Sequence, residues 1–150
     1  MTTLKTGDKA PNFSGFDQNG ATHTLADYKG KKLVVFFYPK ASTPGCTAEA
    51  CDLRDNYNRF QANNYALLGV SADSAKAQAK FIEKFDLPFP LLADEDKSVI
   101  QAFGVWGPKK FMGREYDGIH RTTFVIDESG IIEEVISDVK TKAHAAQILK

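Results

Sequence analysis

The feature that most constrains the fold of this chain is the apolar run LVVFFY at positions 33–38, which is closed by Pro39. Successive side chains of a strand point to opposite faces of its sheet, so a run without a polar position predicts a strand buried on both faces. Strands of that kind belong to sheets that are covered by helices on each side. Two shorter runs, at 66–70 and 124–126, predict further strands of the same sheet.

Apolar residues at helical spacing fill the intervals between these runs. Ala50, Leu53, Tyr57 and Phe60 recur at intervals of three and four and form one stripe, which predicts a helix after the first buried strand. The same kind of pattern predicts further helices at 74–85, 98–103 and 141–149.

Two turn signals predict β-hairpins. Asn-Gly, a strong signal for a tight hairpin turn, ends the segment DQNG at 17–20, between 12–16 and 21–25. The segment DESG at 127–130 joins 123–126 to 131–136 in the same way.

Strands that alternate with helices, followed by a hairpin and a last helix, predict an α/β fold with a central mixed sheet flanked by helices and an N-terminal β-hairpin. This order is compatible with a thioredoxin-like fold, and on periodicity alone a flavodoxin-like fold remains an alternative. The chain has 150 residues, of which 43% are hydrophobic, so we expect a single domain over 1–150 with one buried core.

Charge and composition exclude several classes of function. Nineteen basic residues balance nineteen acidic ones, so nothing favours binding to nucleic acid or to an anionic membrane. The N-terminal sequence lacks the apolar core of a signal peptide, and no stretch approaches the ~18 apolar residues of a membrane span, so we expect a cytoplasmic protein. Two cysteines and three scattered histidines lack zinc-ligand spacing, and no dinucleotide or phosphate-loop motif is present, so neither a metal nor a cofactor is expected.

Both cysteines lie just beyond the first buried strand, in the segment YPKASTPGCTAEAC at 38–51. Thr43 as N-cap and Pro44 at the first helical position predict that a helix begins here, with Cys46 in its first turn. The unpaired N–H groups of that turn and the helix dipole favour a thiolate, which is the nucleophilic form. Each neighbour also has a structural alternative: Thr43 as a cap only, Glu49 as a surface residue near the helix end, Cys51 as a passive half-buried residue.

The combination Pro39-x-x-x-Thr43-x-x-Cys46 resembles the active-site motif of the peroxiredoxins, which are thiol peroxidases with a thioredoxin-like fold. The resemblance extends over nearly the whole chain through GDKAPNF, GVSADS and GIHRTTFVID. It is closest to the peroxiredoxin Q subfamily, also called bacterioferritin comigratory protein.

This resemblance implies a role for five residues. Cys46 matches the peroxidatic cysteine, Thr43 the hydroxyl that bonds the thiolate and the peroxide, and Pro39 the residue that shields the pocket from water. Arg121 matches the arginine that holds the thiolate and polarises the peroxide, with a rim arginine paired to a surface carboxylate as its alternative. Cys51 matches the resolving cysteine found in one branch of the subfamily.

The resemblance also implies the substrates and partners. A hydroperoxide would oxidise Cys46 to a sulfenic acid, Cys51 would form an intramolecular disulfide with it, and thioredoxin or a similar dithiol would reduce that disulfide. A resolving cysteine within the chain removes the need for a second subunit, so we expect a monomer. A cation and backbone donors around the leaving oxygen suffice for this chemistry, without metal or flavin.

Other residues are weaker candidates. Adjacent side chains of an extended segment point to opposite faces, so His120 and Arg121 do not both face the site. We expect His23 and His144 to be solvated, and Trp106 to be a packing residue, part of the pocket rim or part of a surface for a partner.

The sequence leaves two rival functions open. A thioredoxin-type dithiol oxidoreductase would need the C-x-x-C that is missing here, and a proline where His120-Arg121 stands. A redox sensor would share the first oxidation but would stop after one equivalent of peroxide.

Overall fold

The computed structural model describes residues 2–150. Its strands are β1 (Ser14–Phe16), β2 (Thr22–Thr24), β3 (Lys32–Phe37), β4 (Tyr65–Ser71), β5 (Leu91–Ala93), β6 (Trp106–Phe111), β7 (Arg114–Ile119), β8 (Thr122–Ile126) and β9 (Ile132–Ile136). Its helices are α1 (Pro44–Asp55), α2 (Tyr57–Ala62), α3 (Ala75–Phe85), α4 (Ser98–Ala102) and α5 (His144–Ile148), and a single 3₁₀ turn spans Leu25–Tyr28. Within residues 2–150, no helix is both long and apolar enough to cross a membrane.

A five-stranded mixed sheet in the order β5-β4-β3-β8-β9 forms the centre of the molecule. Strands β3, β4 and β5 are parallel, whereas β8 and β9 are antiparallel to their neighbours. Alternate residues of β3 enter two separate core clusters: Val34 and Phe36 pack with α1, α2, α3 and α5, and Val35 and Phe37 pack with α4 on the opposite face. The prediction of a strand buried on both faces is confirmed.

The predicted hairpins are present. β1 pairs with β2 across the Asn-Gly turn, and β8 pairs with β9. The helix predicted at 74–85 is confirmed as α3, whose N-cap Ser74 accepts a hydrogen bond from the Ala77 N–H. The tail helix is shorter than predicted, because the chain becomes helical only at His144.

The structure differs from the predicted elements in two places. The stripe from Ala50 to Phe60 belongs to two helices rather than one, since Asn56, with φ −108° and ψ 12°, leaves helical geometry between α1 and α2. The sequence pattern does not indicate the β6–β7 hairpin, because its strands are largely exposed and carry no apolar alternation. Its turn is Met112-Gly113, where both residues have positive φ.

Candidate active site

The loop after β3 lies at the carboxyl end of the parallel strands, the usual position of a site in an α/β sheet. Hydrogen bonds to neighbouring elements fix it. The Ala41 N–H donates to Asp73 Oδ2 at 2.8 Å, and the buried Tyr38 hydroxyl donates to Gln78 Oε1 at 2.6 Å. Ser42 has φ +64°, a left-handed conformation that turns the chain into α1.

Helix α1 begins as predicted, with Thr43 at the N-cap, Pro44 at its first position and Cys46 in its first turn. The Thr43 side chain does not cap the helix, however. Its hydroxyl donates to the Lys40 carbonyl oxygen at 2.7 Å, and the first hydrogen bond of the helix runs from the Thr47 N–H to the Thr43 carbonyl at 2.8 Å. The Thr43 hydroxyl therefore keeps its lone pairs for an incoming donor. Pro39, at the start of the same loop, is half-buried.

Arg121 connects the thiol to a buried carboxylate. Cys46 is 2% exposed, and Arg121 Nη2 lies 3.4 Å from its Sγ. The other guanidinium nitrogen, Nη1, donates to Glu49 Oε1 at 2.6 Å. The alternative of a rim arginine paired with a surface carboxylate is wrong, because Glu49 is 0% exposed.

Glu49 is a site residue that the sequence had left as a possible surface residue. It lies one turn after Cys46 on α1, so its side chain points to the same side of the helix. Burial raises the pKa of Glu49 to about 7, and the Arg121 charge and hydrogen bond oppose that rise. The sequence signal for Glu49 is its position three residues after Cys46, and that spacing does not predict that the Glu49 side chain is buried.

The prediction that His144 is solvated is wrong. The ring, at the start of α5, is 0% exposed. Its Nε2 lies 2.7 Å from the Thr123 hydroxyl on β8, and its Nδ1 lies 2.7 Å from Gln147 Oε1. Desolvation by burial lowers the pKa of His144. His23, on the N-terminal hairpin, is not solvated either: its side chain is 18% exposed, and its two ring nitrogens bond Asp17 and Tyr28.

The structure does not bring the two thiols together. Cys46 and Cys51 are both free and both lie within α1, but Cys46 is buried and Cys51 is half-buried. Five residues of an α-helix separate two Cα atoms by roughly 8–9 Å and turn the side chains to different faces. A disulfide needs Cα atoms within about 7 Å, so it cannot form while α1 is intact.

The β6–β7 hairpin places a second cation beside the site. Lys109 is half-buried and donates to the Ile119 carbonyl at 2.8 Å. The pKa of Lys109 is lowered, first by desolvation and second by the Arg121 charge.

His120 and Trp106 both have structural contacts. His120 Nε2 donates to the Pro108 carbonyl at 2.9 Å, and Trp106 packs on the core beneath Lys97, so Trp106 is a packing residue. Among residues 2–150, no group of three or more His, Cys, Asp or Glu could hold a metal ion.

Comparison with known proteins identifies the family. The model of the AhpC/TSA family matches residues 6–135. The chain belongs to this family. Peroxiredoxin Bcp of Escherichia coli is 50% identical over 149 residues, which are 99% of this chain and 96% of the relative. Peroxiredoxin Bcp of Bacillus subtilis is 46% identical over 148 residues, with coverage of 99% and 94%.

Solved structures agree with this assignment. Peroxiredoxin Q of Xanthomonas campestris superposes with a TM-score of 0.88 at 34% identity, over 99% of this chain and 94% of that one. A cysteine-to-serine variant of Xylella fastidiosa PrxQ gives a TM-score of 0.92 at 33% identity, over 99% and 95%. The thioredoxin-like fold and the resemblance to peroxiredoxin Q are confirmed. This peroxiredoxin is a peroxidase, an oxidoreductase that takes a peroxide and a thiol reductant.

Proposed function

We propose that Cys46 is the nucleophile of this peroxidase. Its thiolate attacks one oxygen of a hydroperoxide, the O–O bond breaks, and sulfur gives up two electrons to become a sulfenic acid. The other oxygen leaves as an alkoxide or hydroxide and takes up a proton to give an alcohol or water. The observation that carries this proposal is Arg121 Nη2 at 3.4 Å from Cys46 Sγ, at the positive end of α1.

The surrounding groups fit this reaction. Arg121 stabilises both the thiolate and the negative charge that develops on the leaving oxygen, which lowers the barrier electrostatically. The Thr43 hydroxyl donates to Lys40, so it can accept a hydrogen bond from the peroxide and orient it. Pro39, half-buried in the loop after β3, supplies no N–H and limits access of water to the thiolate.

For the second half of the cycle we propose Cys51 as the resolving residue. Its thiol attacks the sulfenic sulfur, water leaves, and a Cys46–Cys51 disulfide forms. Because the intact helix holds the two residues too far apart, the first turns of α1 must unwind first. Unwinding exposes the disulfide, which thioredoxin or a similar dithiol then reduces by exchange. This cycle is complete within one chain, which supports a monomeric enzyme.

We propose that the substrates include hydrogen peroxide and organic hydroperoxides. The bacterioferritin comigratory protein of Xanthomonas campestris, 33% identical to this chain with a TM-score of 0.88, has an alkyl peroxide reduction activity.

A steady-state assay tests the proposal. Reduced protein is mixed with thioredoxin, its reductase and either hydrogen peroxide or an alkyl hydroperoxide, and peroxide consumption is followed over many equivalents. We expect sustained turnover by the wild type and none by Cys46→Ser, since a serine hydroxyl does not ionise usefully at neutral pH. Substantial turnover by that variant would refute the assignment of the nucleophile. A wild type that stops after one equivalent would instead be a redox sensor.

A further inference from the structure

One oxygen of the Glu49 carboxyl group has no hydrogen-bond partner. Oε1 accepts from Arg121, whereas Oε2 is the single buried side-chain nitrogen or oxygen of residues 2–150 that is left unsatisfied. An unpaired buried carboxylate oxygen is costly, because it has lost its hydrogen bonds to water and gained none in the protein. His144 Nε2 lies 3.5 Å from this oxygen, and both side chains are 0% exposed.

The hydrogen bonds of Gln147 determine which nitrogen of His144 carries a hydrogen. Gln147 Oε1 accepts from the Lys140 N–H at 2.9 Å, and Gln147 Nε2 donates to the Asp138 carbonyl at 2.9 Å, which fixes the orientation of the amide. His144 Nδ1, at 2.7 Å from Oε1, must therefore be the donor. In a neutral imidazole, Nε2 then carries only a lone pair.

A Glu49 carboxylate and a neutral His144 would thus face each other as two acceptors inside the protein. One proton between them removes the conflict, either on Oε2 or on Nε2. We propose that Glu49 and His144 share one dissociable proton in the reduced enzyme, and that His144 is a positioning residue that holds Glu49, and through it Arg121, at the thiol. This inference rests on the proposed role of Arg121.

The surroundings support this arrangement. The Thr123 hydroxyl, 2.7 Å from Nε2, can donate to a lone pair or accept from an N–H, so it suits either location of the proton. Burial raises the pKa of Glu49 and lowers that of His144, which favours the proton on the carboxyl group. The charged and titratable groups around the pair are Cys46 and Asp52 from α1, Arg121 before β8, and Glu134 from β9.

Loss of the shared proton would change the charge at the thiol. Glu49 then becomes a full carboxylate 2.6 Å from Arg121 Nη1, and it competes with the thiolate and with the leaving oxygen for the guanidinium. The rate of the first oxidation per thiolate should therefore fall as pH rises through the ionisation of the pair. A residue with only a structural role would not produce that profile.

Nuclear magnetic resonance on the reduced wild type tests the proton directly. Side-chain ¹⁵N and ¹³C shifts of His144 and Glu49 are followed from acid to alkaline pH. We expect a protonated Nδ1 throughout and one ionisation near neutral pH that moves the Glu49 carboxyl and His144 Nε2 signals together. A Glu49 carboxyl that is ionised across the whole range, opposite an unprotonated Nε2, would overturn the proposal without any variant.

Kinetics test the positioning role. Glu49→Gln has an amide oxygen for Arg121 and an NH₂ for His144 Nε2, so it imitates the protonated pair. Its oxidation rate per thiolate should therefore no longer fall at alkaline pH.

His144→Phe removes the acceptor and should slow the first oxidation about 10-fold, within the ~10²-fold that a 1 Å misplacement can cost. His144→Gln, which restores a polar partner for Oε2, should recover most of that loss. His23→Gln, on the N-terminal hairpin, is the matched control and should keep the wild-type rate and profile.

The outcomes separate this inference from the proposed function. An alkaline fall that persists in Glu49→Gln, or His144→Phe oxidising as fast as wild type, would refute the shared proton or the positioning role while Cys46→Ser stays inactive. Turnover by Cys46→Ser would refute the proposed function itself.

Discussion

The two cysteines of α1 are the same residue type on the same helix, yet their surroundings differ at every point that matters for reactivity. Cys46 is 2% exposed in the first turn and receives Arg121 Nη2 at 3.4 Å. Cys51 is half-buried one and a half turns later, beside Asp52, whose Oδ2 accepts from the Ala145 N–H of α5 at 2.7 Å. The nucleophile that we propose thus lies at a helix terminus beside an arginine that is 75 residues away in sequence.

The two cysteines also lie in two parts of α1 that are held in place by different contacts. Arg121 holds its first turns through Cys46 and Glu49, two contacts that depend on the state of the thiol and of the carboxyl group. Asp52 and the fully buried Leu53 hold its later turns to α5 and the core. We therefore expect the beginning of α1 to unwind on oxidation while its end stays in place.

Replacing each cysteine in turn should give the largest difference. With one equivalent of peroxide, Cys46→Ser should consume essentially none, because its hydroxyl is not ionised at neutral pH. Cys51→Ser should consume the equivalent at the wild-type rate and reach the sulfenic acid on Cys46. With excess peroxide it should lose recycling by thioredoxin and proceed to sulfinic and sulfonic acid on Cys46, since each of those steps uses another equivalent. Peroxide consumption and mass spectrometry measure both. Cys51→Ser without any oxidised product on Cys46 would mean that the two cysteines do not divide the reaction in this way.

Arg121→Met should have the next largest effect, because it removes the cation but keeps much of the side-chain volume. If loss of one oxyanion-stabilising donor is the guide, the first oxidation should slow on the order of 10²-fold. Stopped-flow mixing of reduced protein with peroxide measures the rate. Arg59→Met, an exposed arginine on α2, is the matched control and should behave as wild type. Equal rates in the two variants would remove Arg121 from the mechanism.

Amide exchange should show where α1 unwinds. Residues 47–50 should exchange at least about 10-fold faster in the disulfide form than in the dithiol form, because their helical bonds are lost. Amides of α3 provide an internal control and should not change. Equal protection across α1 in both forms would exclude an intramolecular disulfide formed by unwinding.

Local signals were enough to predict most of the fold and half of the site. The apolar run at 33–38 predicted a strand buried on both faces, and Thr43-Pro44 predicted where α1 begins. These features depend on neighbouring residues, and the structure confirms them. The β6–β7 hairpin has no such signal, because its strands are exposed and a buried face is what makes a strand visible in sequence.

The rest of the site depends on contacts between distant segments. Glu49 is three residues from Cys46, and on sequence alone it resembles any acidic residue near a helix start. In the structure it is buried beside Arg121 and His144, which are both far from it in sequence. His144 was expected in solvent because nothing near it in sequence shows that Thr123 and Gln147 enclose the ring. The family motif supplied Arg121 but not the residues that hold it in place.

Gly45→Ala should have the smallest effect. It tests two requirements on the first turn of α1: room for the Arg121 guanidinium, and a helix that unwinds easily. A methyl group at Gly45 would lie 3.2 Å from Arg121 Nη2, so the guanidinium must move by tenths of an ångström. A misplacement of 1 Å can lower a rate by ~10²-fold, so a shift of tenths of an ångström should slow the first oxidation about three- to fivefold. Alanine also favours the helix by about 1 kcal/mol over glycine, so disulfide formation should slow up to about fivefold.

Thr47→Ala is the matched control for that variant. It favours the helix in the same turn, by about 0.7 kcal/mol or less, and adds no atom near Arg121. It should slow disulfide formation up to about threefold and leave the first oxidation unchanged. Stopped-flow oxidation and quenched-flow trapping of free thiols measure the two steps separately. If Gly45→Ala oxidises as fast as Thr47→Ala, tenths of an ångström at the guanidinium do not matter; if neither variant slows disulfide formation, unwinding of α1 does not limit that step.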